Sequence, residues 1–190
     1  SDEGALFFQL SASMVDDEAA FQMLAEQLVP GEGANIVSRY PTAEYGTPQD
    51  AAAAAVGDAG FVCPTRRAAR ALAAAGVPAY LYHFRYGPPS LFGDLGAFHS
   101  AEIKYVLGNP GPLNPLPLTD EEIAFSETIM TYWSSHAASA DPNAGGGTAW
   151  PRYDAASDAN LSIDLGSFTT ESGLRRAQCD YWDTVAVTLL

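Results

Sequence analysis

The chain has 190 residues, of which 47% are hydrophobic and 17% charged, a balance typical of a soluble globular protein. Its longest apolar runs, residues 51–56 and 77–84, are much shorter than the roughly 20 residues that cross a bilayer. The net charge of −14 disfavours binding to nucleic acid or to anionic lipid, because like charges repel. The acidity is typical of a solvated surface, and attraction of cationic substrates is the functional alternative.

Local patterns predict a mainly helical chain with few strands. In the first half we expect a strand end and turn at 1–10, a helix at 16–28, a loop through Gly31, Gly33 and Tyr40–Pro41, a short helix at 50–56, and a helix that starts at Pro64 and stops at Gly76. In the second half we expect a buried strand at 78–86, a loop at 87–96, a long helix after Thr119, a loop at 145–147, anchoring contacts at 150–151 and 161–165, and a helix at 174–189.

The long helix has the clearest local signal. Thr119 and Glu122 form a capping box, in which each side chain binds the backbone amide of the other residue. The helix is expected to end before Asp141. Its predicted apolar stripe consists of Ile123, Met130, Trp133 and Ala137.

The two cysteines, Cys63 and Cys179, have no second Cys or His nearby at metal-ligand spacing, which disfavours a zinc site. They are either two buried thiols or one disulfide. A sequon at Asn160 predicts glycosylation and weakly favours a secretory route, hence the disulfide. No signal peptide is visible at the start of the sequence, so we expect any export signal to lie upstream or to have been removed.

Two short segments offer catalytic chemistry, SDEG at the start and GAFHSAEI near the middle. They supply Glu3 and His99, an acid and a base in the order that follows the nucleophile in α/β-hydrolase triads. No Gly-x-Ser-x-Gly motif accompanies them. By themselves, a terminal Glu and a loop His are more often ordinary surface residues. A metal site at His99 and Glu102 is disfavoured, since no third ligand is spaced to join them.

The chain resembles the type-B carboxylesterases, which include cholinesterases and fungal lipases. The resemblance runs nearly end to end and lies in segments that occur in the same order along the chain. These segments are SDEGALFF, VGDAGFVCP, YLYHF after Gly76-Val77-Pro78, LGAFHSAEIKYVLGN, TYWSSHAASADPN, AWPRY and RRAQCDYW.

The resemblance implies a role for individual residues. Glu3 matches the triad acid and His99 the triad base, whereas His83 and His136 are expected to be structural. Cys63 and Cys179 match two cysteines that are bonded in the family. Around the triad, Glu102 and Ser100 are expected to support the histidine, while Leu6, Phe7 and Phe98 are expected to line the substrate pocket.

The implied fold is α/β, with residues 1–190 forming the C-terminal part of one α/β-hydrolase domain, a three-layer αβα sandwich that an N-terminal partner segment completes. The implied activity is hydrolysis of carboxylic esters by a Ser-His-Glu triad, with the serine and the oxyanion hole on that partner. No metal or organic cofactor is expected, and the protein is expected to be secreted. Leu6 stands where cholinesterases carry an aromatic residue, which favours a general or lipid ester over acetylcholine. The alternative is a non-catalytic, cholinesterase-like adhesion protein.

Overall fold

The computed structural model describes residues 15–91, 95–110 and 115–185. The turn predicted at residues 1–10 lies outside them. The chain divides into two compact units. The first contains the residues up to Arg67 together with those from Arg175 onward, and the second contains Ala68 to Leu174. Among the described residues, no helix is long and apolar enough to cross a membrane.

The first unit is helical. Its elements are α1 (Glu18–Leu28), α2 (Gly33–Arg39), α3 (Thr42–Tyr45), α4 (Pro48–Gly57), a π-helix (Asp58–Val62), the start of α5 (Cys63–Ala74) and α8 (Arg176–Trp182). Asp17 caps α1 through the Ala20 amide, and Thr47 caps α4 through the Asp50 amide. The helices predicted at 16–28 and 50–56 are therefore confirmed.

Two expectations for this unit are wrong. The predicted loop contains α2 and α3 instead. Gly33, expected in the loop, is the first residue of α2. An added Cβ there would lie 2.9 Å from the Gln22 carbonyl oxygen. The helix predicted from Pro64 to Gly76 is present as α5, but Pro64 is not its N-terminal residue, because α4 continues through the π-helix into α5. A π-type turn is one way for a helix to accommodate a proline that lacks an N–H.

Cys63 and Cys179 form a disulfide with an S–S distance of 2.02 Å, as the family resemblance implied. Beside it, the buried Asp58 carboxylate is held by Arg175, whose Nη2 lies 2.6 Å from Oδ2. The Tyr40 hydroxyl donates to the same oxygen at 2.8 Å and accepts from Trp182 Nε1 at 2.7 Å. The covalent and ionic links therefore join the same two chain segments, 58–63 and 175–179.

The second unit is mixed α and β. Its further elements are β1 (Tyr82–Phe84), α6 (Ile103–Val106), α7 (Asp120–Ser139), a 3-10 helix (Pro142–Gly145), β2 (Ala159–Asp164) and β3 (Ser167–Ser172). The three strands form one sheet in the order β1-β2-β3. β1 is parallel to β2, with Tyr82 opposite Leu161, and β2 is antiparallel to β3.

The strand predicted at 78–86 is shorter than expected and only half-buried. The β2–β3 hairpin was not predicted, since only anchoring contacts were expected at 161–165. The exposed β3, with the sequence SFTTES, lacks the apolar alternation that identifies a strand.

The helix α7 packs on the face of the sheet that carries Leu161 and Ile163. The capping box is confirmed, with the Thr119 hydroxyl bound to the Glu122 amide and the Glu122 carboxylate bound to the Thr119 amide. The predicted stripe is wrong, because Ile123 is 44% exposed. The buried residues are Glu122, Phe125, Ser126, Ile129 and Tyr132. Glu122 and Ser126 therefore interrupt the apolar pattern by which the buried face of α7 would be recognised.

Candidate active-site loop

The segment that carries His99 connects β1 to α6. Gly87 follows β1 by three residues, and an added Cβ there would lie 3.0 Å from the backbone of Gly96. Gly96 precedes His99 by three residues and has a φ of +57°, which favours glycine. The chain thus leaves the carboxyl end of β1 and returns to it just before His99. In open α/β sheets, ligands bind outside the carboxyl ends of the strands.

His99 itself is half-buried in a turn between two buried neighbours, Phe98 and Ala101. The Ala101 amide donates to the Phe98 carbonyl at 3.0 Å, and the Ile103 amide donates to the Ser100 carbonyl at 3.2 Å. Ser100 has a φ of +70°, a left-handed conformation that is costly for a residue with a Cβ. The turn therefore fixes the backbone on both sides of His99, with local strain at Ser100.

Glu102 ties this turn to the sheet. Its Oε1 accepts a hydrogen bond of 3.2 Å from the hydroxyl of Tyr82, a residue of β1. The backbone carbonyl of Glu102 accepts from the amides of Tyr105 and Val106, which starts α6. The contact links the turn to β1, and the supporting role expected for Glu102 at His99 stays a prediction.

A buried carboxylate, Glu122, lies next to α6 and is 3% exposed. Its Oε1 accepts from the hydroxyls of Tyr105 at 2.6 Å and Tyr86 at 3.3 Å. Its Oε2 accepts from the Thr119 amide at 2.9 Å and from the Thr119 hydroxyl at 3.1 Å. Four donors therefore surround one carboxylate.

These contacts set the protonation states of the cluster. Burial raises the pKa of Glu122, but hydrogen bonds from Thr119 and Tyr105 outweigh burial and hold that pKa below its usual value. The charge of the buried Lys104 lowers the pKa of Glu122 further. Burial and the bond to Glu122 raise the pKa of the Tyr105 hydroxyl. Glu122 is thus a carboxylate acceptor at neutral pH, and Tyr105 is a protonated donor.

Of the other residues predicted for the site, Glu3, Leu6 and Phe7 lie outside the described residues. Phe98 is described and is only 3% exposed. Its expected role in lining the substrate pocket stays a prediction.

The sequon at Asn160 lies in β2, where Asn160 has no exposed surface. Its glycosylation stays a prediction. Within the part of the chain that the structure describes, its side-chain amide has no hydrogen-bond partner. The sequon did not reveal this burial, because it specifies only three residues and not their environment.

Sequence reasoning missed the second role of Glu122. The capping box explained that residue fully, so nothing pointed to the tyrosines that share it. The sequence did contain a signal. The tyrosines of YLYHFRY, and Tyr105, carry hydroxyls that need hydrogen-bond acceptors when they are buried.

Residues 7–182 match the sequence model of the Carboxylesterase family. The chain is 34% identical over 139 residues to an acetylcholinesterase of Gallus gallus, covering 71% of this chain and 18% of that protein. It is 33% identical over 135 residues to carboxylesterase 5A of Felis catus, covering 67% and 24%.

A third relative is the medium-chain fatty acyl-CoA hydrolase precursor of Anas platyrhynchos, 33% identical over 131 residues, covering 67% of this chain and 23% of that protein. The matched regions thus span between 18% and 24% of the length of these relatives. With the family model matched over nearly the whole sequence, the chain belongs to the carboxylesterase family.

Proposed function

We propose that this chain is part of a serine hydrolase that cleaves carboxylic esters, with His99 as the general base and Glu3 as the acid that orients it. The observation that carries the proposal is the position of His99, in a fixed turn at the carboxyl end of a parallel strand. The named relatives are hydrolases of esters or thioesters, which supports the same reaction class.

The chemistry follows from the residue types. A serine hydroxyl becomes a useful nucleophile when an imidazole nitrogen accepts its proton. A carboxylate bound to the other ring nitrogen holds the correct tautomer and stabilises the imidazolium. In this assignment His99 moves the proton and Glu3 holds the ring. An adhesion protein would need neither residue.

The nucleophile and the oxyanion hole belong, in this proposal, to an N-terminal partner segment. Two observations support such a segment. The matched region is a minor part of each named relative, and in the described residues β1 is paired only on the side that faces β2. The segment would complete the three-layer sandwich. We use "assembled esterase" for this chain together with that segment.

Secretion is part of the proposal because of the disulfide. Disulfides persist in oxidising compartments and are rare in the cytosol. The expected substrate is a general or lipid ester, on the basis of Leu6 in the sequence.

The test is labelling of the assembled esterase with a fluorophosphonate probe, which reacts with an activated serine. The probe should label the partner segment and leave residues 1–190 unlabelled. His99→Ala should abolish labelling and lower ester turnover by roughly 10³-fold or more. His136→Ala removes a histidine that packs against Tyr80 and should keep most activity. A His99→Ala protein that labels like the parent would contradict the assignment and favour the adhesion alternative.

A second test addresses the partner segment. Residues 1–190 expressed by themselves should not give a monomer with a sharp thermal transition, since an unpaired strand edge and apolar faces would be exposed. If residues 1–190 instead unfold cooperatively as a monomer, the partner segment is not required for folding.

A further inference from the structure

We propose that Glu122 is a positioning residue for His99, acting through the hydroxyl of Tyr105. The inference rests on the proposed function, because it assumes that His99 is the catalytic base. It adds a residue that lies 23 positions from His99 in the sequence and has no catalytic chemistry of its own.

The first step is a continuous hydrogen-bonded path from His99 to Tyr105. The turn around His99 runs into α6 through the bond from the Ile103 amide to the Ser100 carbonyl. The Tyr105 amide then donates to the Glu102 carbonyl at 2.9 Å. Backbone hydrogen bonds therefore run along the whole segment from His99 to Tyr105. A displacement of Tyr105 would move the turn as well.

Tyr105 is held by hydrogen bonds at both its side chain and its backbone. Its hydroxyl donates to Glu122, and its backbone carbonyl accepts from the Ser126 hydroxyl at 2.7 Å. Its ring stacks on Phe84, with a centroid distance of 5.8 Å, and packs edge-on against Phe125 at 5.2 Å. Tyr105 is fully buried. It therefore connects the His99 turn to both α7 and the sheet.

Glu122 does more than cap the helix α7. Capping uses Oε2, which binds the Thr119 amide and hydroxyl. Among the described residues, the other oxygen, Oε1, binds the two tyrosine hydroxyls, one on α6 and one just after β1. A carboxylate that only caps has no need to be buried, and burial of a charge costs free energy. The two oxygens thus serve two separable purposes.

The proposal places one residue at the point where β1, α6 and α7 meet. Tyr86 follows the carboxyl end of β1, Tyr105 lies in α6, and Glu122 lies in the first turn of α7. Catalytic groups must be held close to the productive geometry, and a misplacement of about 1 Å can cost about a hundredfold in rate. Glu122 sets the distance between α6 and α7, and with it the position of His99.

The separation of the two oxygens gives the experiment its design. Tyr105→Phe removes the hydroxyl bond to Oε1 and keeps the ring packing and the capping box. Thr119→Ala removes the hydroxyl that caps α7 and keeps the bond from Tyr105 to Glu122. Glu121→Gln removes an equal charge from the neighbouring exposed residue. The variants are compared in the assembled esterase by kcat and KM with a chromogenic aryl ester, and by thermal unfolding.

Tyr105→Phe and Glu122→Gln should each lower kcat about tenfold with KM unchanged, because orientation of the base is lost while substrate binding is kept. The double variant should lose little more than either single variant, since both remove one interaction. Thr119→Ala should lower the unfolding temperature and change kcat by less than about twofold. Glu121→Gln should match the parent in kcat and KM.

Each contrary outcome is distinct. If Tyr105→Phe is folded and keeps the parent kcat, Glu122 does not position His99. If Thr119→Ala lowers kcat as much as Tyr105→Phe does, the cluster acts only through stability, and the proposal is again wrong. If His99→Ala retains turnover, the proposed function itself fails, whatever the Tyr105 variants show.

Discussion

Asp58 in the first unit and Glu122 in the second are both buried carboxylates that accept from tyrosine, but the two sites differ in how the charge is balanced. Asp58 in the first unit faces the Arg175 guanidinium, with bonds from both Nε and Nη2. Glu122 in the second unit is bound by hydroxyls and one amide, with Lys104 as the charge that lowers its pKa. An arginine pair links residues 117 positions apart, whereas the Glu122 bonds span at most 36.

The two charge environments suit the carboxylates to different roles. Removing one partner of a buried ion pair leaves an uncompensated charge, which is strongly destabilising. The direct partners of Glu122 are hydroxyls and an amide, and losing hydrogen bonds to them costs less than breaking a buried ion pair. We therefore expect Asp58 to govern stability and Glu122 to govern geometry.

The largest expected effect comes from loss of the disulfide in the first unit. Replacing both Cys63 and Cys179 by Ser should lower the free energy of unfolding by about 4 to 5 kcal/mol, because a loop of 116 residues is no longer closed in the unfolded chain. The measurement is the urea midpoint of the assembled esterase. An unchanged midpoint would show that the Asp58–Arg175 pair holds the two segments by itself.

The next effect concerns the ion pair. Asp58→Asn should cost about 3 kcal/mol in unfolding free energy, since the Arg175 charge loses its partner. Asp183→Asn is the matched control, because it removes an ion pair with Arg67, whose side chain is 55% exposed, and should cost less than about 1 kcal/mol. Equal losses in the two variants would contradict the importance of burial at Asp58.

The third effect is the pH dependence of the contribution that Glu122 makes to stability. The folded-state pKa of Glu122 is lowered, so its contribution to stability is full above the unfolded value of 4.5 and is lost as the pH falls through the folded pKa. Glu122→Gln should therefore cost about 1 to 2 kcal/mol at pH 7 and progressively less in acid. Unfolding midpoints between pH 7 and pH 3 check this. A pH-independent loss would mean that the carboxylate charge plays no part.

The smallest effect lies beside His99. Ser100 is in the left-handed region, so Ser100→Gly should relieve strain and stabilise the protein by about 0.5 to 1 kcal/mol. Ser100→Val should destabilise it, because a β-branched residue fits that conformation poorly. Thermal unfolding of both variants measures the difference. A Gly variant less stable than the parent would show that the Ser100 side chain makes a compensating contact.

Sequence alone predicted those elements whose signals are local. The capping box at Thr119 fixed the start of α7, and Gly76, with a φ of +74°, ends α5 as expected. The β2–β3 hairpin was missed because Phe168 is the one apolar residue of β3, too few to show an alternating pattern. The role of Gly33 was not predicted because the close approach to α1 depends on Gln22, 11 residues earlier, and not on its immediate neighbours.

The candidate site was less accessible to prediction from residue patterns. His99 came from resemblance to a family and not from spacing. Glu122 was found as a cap only, since its tyrosine partners come from β1 and α6 and meet it only in the folded chain. The buried face of α7 was misassigned for the same reason, because Glu122 occupies a position that a hydrophobic pattern assigns to solvent.

The spacing of the two cysteines has a consequence for biosynthesis. All of residues 68–174 are made after Cys63 and before Cys179. At roughly 5 to 20 residues per second, the 116 residues that follow Cys63 up to Cys179 take about 6 to 23 s to synthesise. Meanwhile the second unit emerges as one uninterrupted stretch, and its local contacts can form first. We therefore expect the cysteine bond to close late, and the yield in a foreign host to depend on disulfide isomerisation during that interval.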